Sequence, residues 1–77
     1  MSSQDPVNLL NSILLQRNSS HLLSWDYRTE GPPGPHSVHI AIAKVGGVAV
    51  GYGSGATRLE AKRIAATEAI RSLQASG

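Results

Sequence analysis

The chain has 77 residues, a formal net charge of +2, no cysteine and no phenylalanine. That length suits one small domain near the size at which a single apolar core is only just sufficient, since a chain of ~60 residues buries only about 60% of its unfolded surface. The missing cysteines exclude a disulfide framework and a thiolate metal site and point to a reducing, intracellular compartment, cytoplasmic or nuclear; no apolar run approaches the ~20 residues of a membrane span, and the opening "MSSQDP" lacks the features of a signal peptide, so no membrane partner is expected.

Residues 1–4 read as a flexible tail, and the domain is expected over 5–74, with residues 75–77 as a second short tail. Asp5-Pro6 is a helix start: a capping carboxylate is followed by a proline whose fixed φ and missing N–H suit the first helical position. Val7, Leu10, Ile13 and Leu14 then form one apolar stripe on a helix of about residues 6–17, with Asn8, Asn11, Ser12 and Leu15 opposite. The polar cluster "RNSSH" at 17–21 ends it.

From Leu23 the period becomes two, so that Leu23, Trp25 and Tyr27 share one face of a strand with Ser24, Asp26 and Arg28 on the other. "EGPPGPHS" at 30–37 is a loop, because three prolines and two glycines cannot hold a central strand or a helix. Val38, Ile40 and Ile42 alternate again, Gly46-Gly47 makes a tight hairpin, and Val48, Val50 and Tyr52 return on a third antiparallel strand. Thr57 and Glu60 form a T-x-x-E capping box that starts a last helix at Arg58. Ala61, Ala65, Ala66, Ala69, Ile70 and Leu73 lie on one side of it, small enough to bring its backbone close to the sheet. The expected fold class is α+β, a helix, three strands and a helix, with both helices on one face of a three-stranded antiparallel sheet.

Charge is unevenly placed: residues 1–43 carry a net −1 and residues 44–77 a net +3, so positive potential gathers around the last helix, where it could attract a polyanion or simply solvate the surface. Catalysis has little support. His21, His36 and His39 lack metal-ligand spacing, the carboxylates are scattered singly, and no G-x-S-x-G elbow occurs, so neither a cofactor nor a small-molecule substrate is expected. "GYGSGAT" at 51–57 invites comparison with a phosphate-binding loop, yet a Walker pattern needs Gly-Lys-Ser/Thr and a dinucleotide fold needs a parallel crossover. What remains is a helix N-terminus, read as reached by a flexible glycine loop and ringed by Arg58, Lys62 and Arg63, which could bind phosphate or could merely be a capped, solvated helix start. Trp25 and Tyr27 alternate in step with Leu23 and read as core residues rather than stacking platforms for bases.

The layout as a whole resembles the double-stranded RNA-binding domain, whose second helix opens with G-x-G-x-S-K-K-x-A-K-x-x-A-A. Gly53, Gly55, Thr57, Arg58, Ala61, Lys62, Ala65 and Ala66 occupy that pattern in register, with Thr for Ser and Arg for the first Lys. "GPH" at 34–36 resembles the family's Gly-Pro-x-His loop, one residue short, and "PVNLLNS" at 6–12 its opening helix. The resemblance implies a double-stranded RNA partner and three contact regions. Asn8, Asn11 and Ser12 would meet one minor groove, Pro35 and His36 the next, and Thr57, Arg58, Lys62 and Arg63 the phosphates between them, a footprint of ~16 base pairs that selects A-form shape over sequence. Leu59 stands where the family usually has its second lysine, Ser12 where it usually has glutamate, and Ile40 where an aromatic is usual. These departures imply weaker binding than in a fully basic member. They leave open a second expectation, a degenerate member serving as a homodimerisation or protein-docking module, with Leu9, Leu15, Leu59 and Ile64 as its apolar surface.

Overall fold

The computed structural model describes residues 5–32, 34 and 37–75. Its elements are α1 (Pro6–Gln16), a 3₁₀ turn (Ser20–Leu22), β1 (Leu23–Glu30), β2 (Val38–Val45), β3 (Val48–Gly55) and α2 (Arg58–Ala75). The strands form one antiparallel sheet in the order β1-β2-β3, so β2 is central and β1 and β3 are its edges.

Local chemistry sets the ends of these elements. The Val7 N–H donates to Asp5 Oδ1 at 2.9 Å, with Pro6 in the first turn where no N–H is needed. At the other end of α1, Ser19 N–H donates to the Leu14 carbonyl at 2.8 Å and Asn18 N–H to the Leu15 carbonyl at 3.1 Å, with Asn18 left-handed at φ 57°. This pair of bonds is a Schellman exit, which satisfies carbonyls that the helix itself cannot. Gly46 and Gly47, at φ 61° and 83°, form the two-residue turn between the paired Val45 and Val48. For α2, Glu60 N–H donates to Thr57 Oγ1 at 3.1 Å, while the return bond from the Glu60 carboxylate goes to Ala56 N–H at 3.0 Å, one residue before the cap.

Both helices cover the same sheet face. Leu10 and Leu14 of α1 share a cluster with Ala43 of β2 and with Ala66, Ala69 and Ile70 of α2, bordered by Val7, Ile13, Leu23, Trp25, Val45, Val50 and Leu73. A second cluster joins Ala41 to Ala61 and Ala65, again against Trp25. Cross-strand register puts Trp25, Ala43 and Gly51 in one row of this face and Tyr27, Ala41 and Gly53 in the next. The alternating Val38, Ile40 and Ile42 therefore lie on the open face of β2, with Tyr52, 60% exposed, opposite Ile42. Size, rather than hydrophobicity, selected the covered face where α2 crosses β2: Val38, Ile40 and Ile42 point away from α2 and Ala41 and Ala43 point toward it, while Val45 at the strand end packs against the core cluster.

The same constraint explains Gly51 and Gly53. A Cβ on Gly51 would stand 2.7 Å from Ala69 N and 2.9 Å from Ala69 Cβ and would collide with the Ala65 carbonyl; one on Gly53 would collide with the Ala61 carbonyl and Ala65 N. These glycines are strand residues over which the α2 backbone passes directly, and not the flexible phosphate loop that the sequence suggested. Between Ala43 and Lys44 the β2-β3 register shifts, leaving Val50 without a ladder partner but packed against the core. Gly53→Ala should accordingly cost about 3 kcal/mol, the upper part of the overpacking range, because backbone rather than a side chain must yield. In a domain of this size that lowers the thermal midpoint by roughly 12–24 °C, readable by circular dichroism.

Candidate nucleic-acid interface

The basic end of α2 is fixed by what lies beneath it. Only Ala56 and Thr57 separate β3 from α2, and the Thr57 hydroxyl already accepts the Glu60 N–H, so the first turn leaves the sheet in a set direction. Thr57, placed by the sequence among the phosphate contacts, thus has a structural duty as the helix cap. Arg58 and Lys62 follow one turn apart on the same side of the helix. They extend the buried alanine stripe past the covered part of the sheet and arrive above β1. The Arg58 guanidinium carbon sits 4.8 Å from the centre of the Tyr27 ring, and Lys62 Nζ sits 5.2 Å from the centre of the Trp25 ring. Lys62 is half-buried, with its ammonium against the Trp25 ring.

Arg63 points elsewhere. One residue past Lys62 is a turn of ~100° about the helix axis, and its Nη2 lies 3.8 Å from Oδ2 of Asp5, the N-cap of α1. At the far end of α1, Arg17 Nη2 donates to the Leu73 carbonyl at 3.4 Å. The two contacts border the buried packing of Leu10 and Leu14 against Ala66, Ala69 and Ile70, which carries the polar face of α1 in a fixed relation to the basic start of α2. Asn8, Asn11 and Ser12 are all exposed on that face, at helical spacings of three and four residues. The Asn11 amide donates to the Val7 carbonyl at 3.1 Å.

The cations divide by partner. Lys44 pairs with Asp26, Arg63 with Asp5 and Arg71 with Glu68, each with a carboxylate that offsets its charge. Arg58 and Lys62 rest on aromatic rings instead. Arg17 and Arg28 also have no carboxylate partner among the described residues, but Arg58 and Lys62 are the two such cations that stand together, one turn apart at the start of α2.

Pro35 and His36, the sequence's choice for the loop contact, lie outside the described residues; beside them, Ser37 Oγ donates to the Gly34 carbonyl at 2.9 Å. Of the apolar residues set apart by the sequence, Leu59 is 54% and Ile64 47% exposed. Five residues of helix separate them by about 140° of rotation, so they do not form one patch. Ile64 faces the free edge of β3, where it lines an open groove with Ile40, Tyr52, Glu68 and Arg71. The sequence missed that Trp25 and Tyr27 hold the cations. Of the two residues it read as core, Trp25 packs against both buried clusters, whereas Tyr27 shares that face of the sheet but is exposed at its rim and belongs to neither cluster; no spacing in the chain connects residues 25 and 27 with 58 and 62.

A family model described as the double-stranded RNA binding motif matches residues 6–73, from the start of α1 nearly to the end of α2. Comparison with curated proteins gives no match. Since the Thr57 hydroxyl caps the helix that carries both cations, Thr57→Ala should destabilise the domain by about 1 kcal/mol, measured by urea denaturation.

Proposed function

Because the chain belongs to the double-stranded RNA-binding family, we propose that it binds A-form RNA duplexes through shape and phosphate charge, without catalysis and without strong sequence preference. The observation that carries this reading is the pair Arg58 and Lys62, two cations on one helix face that no carboxylate among the described residues offsets. Phosphates crossing the end of α2 would meet both at once, and the partial positive charge of the helix N-terminus adds to them.

Asn8, Asn11 and Ser12 then face a minor groove, where amide and hydroxyl groups can exchange hydrogen bonds with 2′-hydroxyls and base edges, and Pro35 and His36 belong to the contact with the next groove. Arg63, already shared with Asp5, is the weaker of the phosphate contacts. Leu59 supplies none, so affinity falls below that of a member with lysine there. A cytoplasmic or nuclear location accompanies this reading.

A second reading has one observation in its favour. β3 is an edge strand whose sequence, "VAVGYGSG", carries no charge, whereas the other edge, β1, carries Asp26, Arg28 and Glu30. Unprotected edges accept another strand, so a second copy or a protein partner could dock along β3 and its groove. Sedimentation at micromolar concentration decides this, and a strict monomer removes the homodimer.

In gel shifts at low salt, a ~20 base-pair RNA duplex should bind in clear preference to the same DNA duplex; equal binding, or none, would sink the RNA reading. The Arg58→Ala/Lys62→Ala double variant should stay folded and bind far more weakly, with the logarithmic salt dependence of the residual binding at low salt flattened by about two units of slope. Leu59→Lys should move the other way, tightening binding several-fold and steepening the slope by roughly one unit.

A further inference from the structure

Trp25 and Tyr27 occupy successive inward positions on β1, and Arg58 and Lys62 occupy successive turns of α2. The strand repeat of ~6.8 Å for two residues nearly matches the helical rise of ~6 Å for four, so the two pairs meet as two rungs, Arg58 on Tyr27 and Lys62 on Trp25. We propose that Tyr27 and Trp25 are positioning residues for RNA binding: their ring faces hold the two phosphate-contacting cations extended at the end of α2 without cancelling their charge. This inference rests on the RNA-binding reading and adds to it a role for two residues that touch no RNA.

The physical case lies in what a cation can be held by. A carboxylate fixes an arginine or lysine but supplies the negative charge that phosphate would otherwise provide, as Asp5 does for Arg63 and Asp26 for Lys44. A ring attracts the cation through its quadrupole and leaves the net charge intact. Free lysine and arginine side chains lose rotamer freedom when they bind, and prior restraint on an aromatic face removes part of that loss. The small residues beneath α2 make the arrangement possible. With Ala41, Ala43, Gly51 and Gly53 under the helix, it lies low on the sheet, and the side chains of Arg58 and Lys62 run outward over β1. Tyr27 is 36% exposed, so its ring sits at the rim, where the guanidinium above it stays open to a ligand.

The test is a double-mutant cycle on affinity for a ~20 base-pair RNA duplex, with folding checked by thermal denaturation. Tyr27→Leu, which keeps apolar bulk but removes the ring, should weaken binding about five-fold, and Tyr27→Phe should restore it because the face is retained. In an Arg58→Ala background Tyr27→Leu should cost nothing further, since the residue acts only through Arg58. An equal loss in both backgrounds overturns the positioning role while leaving RNA binding standing. Failure of the wild-type protein to bind the duplex overturns both readings. Should Tyr27→Leu not fold, the wild-type NMR spectrum decides: the Arg58 δ-protons should be shifted upfield by the Tyr27 ring current, and unshifted resonances would overturn the proposal.

Discussion

The structure depends on how close α2 comes to the sheet. Ala61, Ala65 and Ala69 lie over Gly51, Gly53 and Ala41 with no room for a single added carbon at the glycines. A helix and a sheet with ordinary side chains between them stand further apart, and the gap is filled by leucines and valines; here the backbones themselves are in contact. Small residues bury little apolar area each, so the larger hydrophobic contribution comes from the α1 side, where Leu10 and Leu14 are the largest fully buried side chains. The domain is thus built in two zones: a tight one that sets the height and direction of α2, and a bulkier one beside it that supplies much of the apolar burial.

That tight zone also shapes the surface. A helix held low over β3 and β2, starting two residues after β3 ends, lets the long side chains at 58 and 62 reach across to β1, where they meet aromatic rings at the rim of the sheet. The other end of the same constraint is the free edge of β3, where Ile64 and Tyr52 border an open groove. Packing in the interior therefore determines where the uncancelled positive charge emerges and where the sheet is left open to a further strand.

Charge pairing, more than charge number, sets the electrostatic character of this chain. A net charge of +2 is unremarkable for 77 residues. Three of the cations lie against carboxylates, and exposed pairs of that kind contribute little to stability, about 0–1 kcal/mol each. Their effect is to leave Arg58 and Lys62 as the one adjacent pair of cations without a carboxylate partner among the described residues. The packing of Leu10 and Leu14 against Ala66, Ala69 and Ile70 holds α1 against α2, with the Arg63–Asp5 pair at its margin, so that two surfaces from opposite ends of the sequence are carried together.

The sequence by itself determined the element order, the turns and the helix caps, because each rests on chemistry within a few residues: Asp5 before Pro6, Gly46-Gly47 between valines, Thr57 three residues before Glu60. It also marked Arg58 and Lys62, since their position relative to Gly53, Gly55 and the alanine stripe is a matter of spacing alone. Only the tertiary structure decided which face of β2 is covered, because the strongest alternation, Val38, Ile40 and Ile42, marks bulk while α2 demanded its absence. It alone turned the glycines from a loop into a strand under a helix, separated Leu59 from Ile64, gave Arg63 to Asp5, and set Tyr27 and Trp25 beneath Arg58 and Lys62. The ion pair and the two ring contacts join residues some thirty to sixty positions apart, and no local periodicity encodes the distance at which a helix settles on a sheet.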